Sequence, residues 1–541
     1  MKHRYFFLNK PSILIAMFIL SGNALANQID IPLLKLNNNP QAYVQNLLSA
    51  FPAEYPTYQL FIQSPEIKDL IRSSYDTEQL NALIEKTNET RKLSLIEKPW
   101  GTFIQATSFE DNNTKSETHY DAIWLRDSLW GYLALNSQKE NEESAKKVLL
   151  TLWDYMSTPA QLKRMNDAIN NPSLLNNENG QMNAIHIRFD SNSSNFSDVL
   201  EGGKSQQWNH KQNDALGLYL DSLIQAIESG QISYSDWKKD SRLESLIKLV
   251  VYLDKINFYD MPDSGAWEED ARLNTSSIAL VTSGLEHLTN LLKENGNVST
   301  IEFKNDLLNK ASNLKLSQYL KESHLEKLID KGYERISNQL MLGGESPNYE
   351  HNDPHYRTAD AALLNLIYPA KLSRLSLEQK KMILSNVNTL VGSYGIKRYL
   401  NDNYQSANFW FNDIKTDTSE DSHNKRKEIF IPFTEAQWFF DSWYATSSAI
   451  VYEESHNKYY LNQAIQFMNR SLSQITNKNM TGANGRPIPA MALPESINFL
   501  YYSGKLEAVP SPIIPLNWSK ASMTLMFKKI ESVLPEKTNA S

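Results

Sequence analysis

The segment Gly265-Ala266-Trp267-Glu268-Glu269-Asp270 sets two adjacent glutamates directly behind a tryptophan, in a short break between two helix-like stretches. These residue types suit chemistry on a sugar. An indole face can stack on a pyranose ring, and an apolar wall can keep a neighbouring carboxyl protonated at neutral pH. Cleaving a glycosidic bond takes two carboxyl groups, which fixes what to look for next. Glu495, in Leu493-Pro494-Glu495-Ser496, is the candidate partner. Neighbours in sequence are poorly placed to serve opposite faces of one ring. The expected working pair is therefore Glu268 with the distant Glu495, which leaves Glu269 as a substrate ligand or a helix-start charge.

Other polar and aromatic clusters sit at similar breaks. Tyr120-Asp121-Ala122-Ile123-Trp124-Leu125-Arg126-Asp127-Ser128 leads into one helical pattern, and Gln207-Trp208-Asn209-His210-Lys211-Gln212-Asn213-Asp214 into another. Pro515-Leu516-Asn517-Trp518-Ser519 leads into a last one. Such clusters at helix N-termini, gathered at one end of a helical array, describe a concave site. Arg126 can donate two parallel hydrogen bonds and Asp127 can accept from two vicinal hydroxyls, which suits the rim of a sugar. The 10 histidines show no metal-ligand spacing, and His210 has no partner nearby in sequence, so neither a metal nor a cofactor is expected. Gly202-Gly203-Lys204-Ser205 ends like a phosphate-binding loop but lacks the earlier glycine. No Gly-x-Ser-x-Gly elbow occurs.

The elements that must position these residues are helices. Apolar residues recur at helical spacing through Leu216–Ile224, Leu243–Leu253 and Ile278–Leu292, the last preceded by the cap-like Asn274-Thr275-Ser276-Ser277. Further stripes run through 144–156, 360–368, 438–452 and 459–473. Alternating strand patterns are scarce. From residue 100 onward the periodicity gives about twelve helical segments with loops of uneven length, undivided by any Pro- or Gly-rich linker. The expected organisation is a signal peptide over 1–26, an N-terminal extension over 27–95, and one large all-α domain over 96–541.

The signal is read from Met1-Lys2-His3-Arg4 and Lys10, the apolar run Ser12 to Leu20, and Ala24-Leu25-Ala26, with cleavage expected after Ala26. That run falls short of the roughly 20 residues needed to span a bilayer. The mature chain is therefore expected in the periplasm or outside the cell, with no membrane contact. Among 541 residues there is no cysteine, which excludes disulfides, thiolate metal sites and a cysteine nucleophile. The net charge of −8 becomes about −11 without Lys2, Arg4 and Lys10, and argues against a nucleic-acid or anionic-membrane surface. It suits a neutral ligand.

Taken in order, Trp-x-Arg-Asp (124–127), Trp208 with Gln-Asn-Asp (212–214), Trp-Glu-Glu (267–269), and Pro-Glu (494–495) followed by Leu-x-Trp-Ser (516–519) resemble the glucoamylase-type glycoside hydrolases of family 15. A second likeness, to the N-terminal region of phosphorylase kinase α and β subunits, lies in Asp360-Ala361-Ala362-Leu363-Leu364, in Gly395 to Tyr404, and in Glu435-Ala436-Gln437-Trp438. Together they cover about residues 95 to 530. The resemblance implies an (α/α)6 barrel with its pocket at one end. It implies an inverting hydrolase for terminal α-linked glucose of an α-glucan or α-glucoside, with Glu268 as general acid and Glu495 as general base. Arg126 and Asp127 then hold the non-reducing-end glucose, and Trp124, Trp208, Trp267, Asp214 and Arg398 serve as walls and hydroxyl partners. Glu269 matches the family's second, substrate-binding glutamate. Where the family usually has Glu-Gln at the base, this chain has Glu495-Ser496. The phosphorylase kinase likeness leaves a second reading open, a non-catalytic carbohydrate-binding or regulatory barrel, which would have no need of Glu495.

Overall fold

In the computed structural model of the protein, residues 64–107, 120, 122–293, 298–402, 404–405, 435–480, 487–502 and 505–534 are described. The expected signal peptide and the expected extension up to residue 63 lie outside the described residues. Most of the apolar stripes become helices: Glu142–Met156, Asn213–Glu228, Asp240–Lys255, Thr275–Lys293, Asp441–Ser455 and Lys458–Ser471 coincide with stripes read from the sequence.

Six inner elements touch in a closed order. Leu125–Asn136 packs on Asn213–Glu228, which packs on Thr275–Lys293, then on Ala361–Leu366, Asp441–Ser455 and Asn517–Val533. The last of these returns to Leu125–Asn136 and shuts the ring. Glu142–Met156, Asp240–Lys255, Glu322–Leu342, Leu377–Asn388 and Lys458–Ser471 lie outside it. This is an (α/α)6 barrel. Thr77–Lys86 and the turn Asn88–Arg91 cover the outer side of Asn517–Val533. They are fastened there by Arg91 donating to Thr524 at 3.3 Å and by Tyr75 donating to Asn469 at 2.6 Å.

Inner helices are apolar on most sides because both layers and the ring neighbours cover them. Asn213–Glu228 and Thr275–Lys293 approach most closely where glycines remove the side chain. A Cβ on Gly217 would stand 2.3 Å from the Val281 nitrogen, and one on Gly284 would stand 3.0 Å from the Gly217 carbonyl oxygen. One inner element departs from the expected helix. Over 360–368 the chain forms only the 3-10 segment Ala361–Leu366, because the Asp360 side chain caps the Ala362 N–H and Tyr368 precedes a proline.

The strands are short and serve the cavity end. A three-stranded antiparallel sheet joins Gln437–Trp438, Ser496–Tyr502 and Lys505–Pro510, and its middle strand begins directly after Glu495. The sequence reading did not include it. A second ladder pairs Ile123–Trp124 with Arg188–Phe189 and so fixes the entry to the first inner helix. Gly202-Gly203-Lys204-Ser205 is an exposed hairpin turn between Leu200–Glu201 and Lys204–Ser205.

Candidate active site

The Trp267-Glu268-Glu269 motif closes a 3-10 turn, Gly265–Trp267, and precedes the helix Thr275–Lys293 by several residues. Glu268 itself takes the left-handed conformation, with φ 58° and ψ 33°, a strained choice for a side chain of its size. Three contacts hold it there. The Glu268 N–H donates to the Gly265 carbonyl at 3.3 Å, the Glu269 N–H donates to Ser264 at 3.3 Å, and Asn209 Nδ2 donates to the Glu268 carbonyl at 2.6 Å. The turn sends the two glutamates to different places.

Glu268 lines a cavity of about 610 Å³, open mouth included, at one end of the barrel. All the residues expected at the site line it except Asp214 and Glu269: Trp124, Arg126, Asp127, Trp208, Trp267, Arg398 and Glu495 are in its wall. Tyr120, Tyr404, Trp438, Leu516, Trp518, Ala106 and Ala266 complete it. Trp518 also meets Trp130 and Trp443, which stack at 4.8 Å in the core behind it.

Arg126 organises one side. Its Nε and Nη2 grip Asp214 at 2.6 and 3.2 Å, Nη2 also reaches the Gly265 carbonyl at 3.0 Å and Gln212, and Nη1 donates to Glu268 Oε1 at 3.2 Å. Burial opposes its charge, but Asp214 and Glu268 overcome that and hold the guanidinium protonated. The closest ion-pair partner of Arg126 is Asp214, which sits behind the wall, and not its sequence neighbour Asp127. Trp124 Nε1 donates to the other Glu268 oxygen at 3.4 Å.

Glu495 is buried rather than solvated, with 4 % exposure. Its backbone N–H donates to Ile513 at 3.0 Å, and its carboxyl accepts from the Tyr120 hydroxyl at 3.1 Å and the Ser511 hydroxyl at 3.4 Å. Burial, and then the charge of Glu495, push the Tyr120 phenol well above its ordinary pKa, so it is a fixed donor. Asp127 lies in the same wall. Burial, reinforced by Glu268 and Glu495 and only partly offset by Arg126, pushes its carboxyl up to about 7.

Glu269 points away from the cavity. It is 3 % exposed and accepts from Arg357 at 3.1 Å, Arg398 at 3.0 Å and the Tyr399 hydroxyl at 2.6 Å. It is therefore neither in the cavity wall nor at a helix start. Its partner Arg398 does reach the wall, gripped by Asp402 at 2.7 Å through two bonds and faced by Trp267, Tyr404 and Trp438 at 5.0 to 5.6 Å. Trp267 is held from behind by Asp360, to which its Nε1 donates at 2.9 Å.

The sequence reading singled out neither Tyr404 nor Trp438 as wall residues, though both fall within quoted motifs, and Tyr120 opens the Trp-x-Arg-Asp segment. His210 is not isolated: its ring stacks on His186 at 3.7 Å, and burial holds its pKa well below the ordinary value. Among the described residues no cluster of ligating side chains could hold a metal ion.

The profile of the glycosyl hydrolases family 15 matches residues 86–488 of the chain. Among curated proteins, the uncharacterized lipoprotein YgeQ of Escherichia coli K12 is 58 % identical over 229 residues, 42 % of this chain and 87 % of that one. The probable phosphorylase b kinase regulatory subunit alpha of Drosophila melanogaster is 28 % identical over 234 residues, which cover 41 % of this chain and 16 % of that subunit. Among solved structures, the glucoamylase from Saccharomycopsis fibuligera aligns over 89 % of this chain and 99 % of its own, at 16 % identity and a TM-score of 0.49.

Proposed function

This chain belongs to glycosyl hydrolase family 15, and from that premise we propose that it is an exported, inverting hydrolase of terminal α-linked glucose. Its substrate is an α-glucan or a small α-glucoside. The observation that carries the proposal is one cavity walled by both Glu268 and Glu495, each carboxyl oriented by its own donors.

Glu268 donates its proton to the glycosidic oxygen as the bond from that oxygen to the anomeric carbon breaks. A water attacks the carbon from the opposite face, and Glu495 takes the proton that the water loses. The products are the shortened aglycone, carrying the proton from Glu268, and β-glucose. Room for the water requires the carboxyl groups to stand roughly 6.5–9.5 Å apart. Arg126 and Asp127 hold the outer hydroxyls of the glucose, while Trp124, Trp208 and Trp267 exclude water and stack on its ring. Arg398 supplies a further donor. Asp214 and Glu269 act through Arg126 and Arg398.

Export rests on the N-terminal signal read from the sequence. No helix among the described residues is long and apolar enough to cross a membrane. The relative's name includes the word lipoprotein, whereas these 541 residues contain no cysteine for a thioether-linked lipid.

The phosphorylase kinase relatives favour the alternative, a barrel that binds carbohydrate without cleaving it. One experiment separates the two. The purified protein is incubated with maltose, isomaltose, trehalose, maltooligosaccharides and dextran, and the anomer of any released sugar is followed by NMR. β-Glucose from one of them supports the hydrolase and names its linkage; binding without release from any supports the alternative.

A further inference from the structure

We propose that Arg188, which lies behind the cavity wall and not in it, is a positioning residue that sets the tilt of Trp124 and Trp208 and, through Trp124, the orientation of Glu268. The proposal rests on the glycosidase reading for its kinetic consequence; its geometry does not.

The register of the ladder brings Arg188 to Trp124. Ile123 pairs with Phe189 and Trp124 with Arg188, so in this antiparallel pair the two side chains leave the same face as direct neighbours. The backbone around Arg188 is held firmly. Leu125 N–H donates to the Ile187 carbonyl at 2.8 Å, Tyr155 donates to the Arg188 carbonyl at 3.4 Å, and Phe189 stacks on Tyr155 at 4.0 Å. The guanidinium is only 2 % exposed, and its Nη1 donates to Gln206 at 2.6 Å.

Its carbon centre stands 3.9 Å from the Trp208 ring centroid and 4.5 Å from that of Trp124. The two indoles meet at 68° with centroids 5.7 Å apart, so they do not stack face to face. A planar cation between them is drawn to both π faces and fixes that angle, which two rings alone would leave loose. Both rings line the cavity, and the Trp124 Nε1–H reaches Glu268 Oε2 at 3.4 Å. If Arg188 loses its charge and plane, Trp124 tilts and one of the two donors that orient Glu268 is displaced. Glucose still enters, but the carboxyl no longer aims at the glycosidic oxygen.

The test is a kcat-against-KM split with a spectroscopic companion. Arg188→Met keeps the chain length and removes the charge. We expect kcat to fall about tenfold or more, the scale of two buried cation–π contacts, and by a larger factor than KM rises. Arg188→Lys, which keeps a cation but not the plane, restores part of kcat. The near-UV circular dichroism of the free protein changes in its tryptophan bands in Arg188→Met. Adding Trp208→Leu to Arg188→Met costs less than the sum of the two single losses. A folded Arg188→Met protein with wild-type kcat and an unchanged near-UV spectrum overturns the proposal. Should Arg188→Met fail to fold, Arg188→Lys carries the same test, and wild-type kcat there overturns it. A wild-type protein that hydrolyses no glucoside sinks the functional reading instead; an unchanged near-UV spectrum in either variant then sinks the clamp separately.

Discussion

A backbone torsion of one residue divides the two glutamates. At Glu268 the left-handed conformation turns one carboxyl into the cavity and leaves the next, Glu269, among Arg357, Arg398 and Tyr399. Removing the proton chemistry without altering shape should therefore separate the two: Glu268→Gln and Glu495→Gln are each expected to lower kcat at least about a hundredfold while melting stays cooperative. Near-wild-type turnover in either variant removes that residue from the mechanism. Asp127 gives a prediction of opposite sign for stability. Its folded pKa, about 7, exceeds the unfolded value, so between pH 4 and 7 the folded state binds the proton more tightly. Stability is thus lost as pH rises through that window, on the order of 4 kcal/mol at about 1.4 kcal/mol per unit. Asp127→Asn should melt higher than the wild type at pH 8, with the difference vanishing near pH 4. Equal melting curves at both pH values would refute the buried-carboxyl account. Most residues of the cavity wall were legible in the sequence because tryptophan, arginine and acid crowd into short motifs. Arg188 was not, lying outside any such motif, and Tyr404 and Trp438 were not singled out within theirs, since a single aromatic or arginine is more often core or surface than wall. What distinguishes them is a contact made from far along the chain.

At the level of elements, helical periodicity carried well. The stripes over Leu216–Ile224 and Ile278–Leu292 became the inner helices Asn213–Glu228 and Thr275–Lys293. It misled over 360–368, where capping by Asp360 and the following proline left a 3-10 segment. The sheet from Gln437 to Pro510 was missed because its first strand is two residues long and its pairing joins distant segments. One close helix contact depends on an absent side chain. Gly217→Ala would drive a Cβ to 2.3 Å from the Val281 nitrogen and 2.4 Å from the Leu280 carbonyl carbon, both backbone atoms that can yield only if the helices part. Calorimetry should show a loss of about 1–3 kcal/mol or more. An unchanged melting temperature would mean that the two helices are free to separate.

For the molecule as a whole, the ring is the unit of stability, and its outer cover begins early in the chain. Tyr75, Leu80, Leu83 and Arg91 are buried against the last inner helix or its neighbours. A protein beginning at residue 93 should melt several degrees below one beginning at residue 27, because helix 517–533 loses its outer neighbour. Identical melting would show that the cover is dispensable. The barrel was implied only by the family resemblance, whereas that the domain is all-helical could be read from about twelve stripes with no linker. Which helix closes the ring could not, because closure depends on contacts between segments hundreds of residues apart. That closure has a consequence for timing. The helix that shuts the barrel, Asn517–Val533, follows the other five inner elements in the chain, and the bond between Tyr120 and Glu495 spans 375 residues. A growing chain therefore carries Glu268 long before it has a cavity to put it in. The cavity stays incomplete until that helix has been made and docked, so on the proposed function a partly made chain has no working site whatever else it carries.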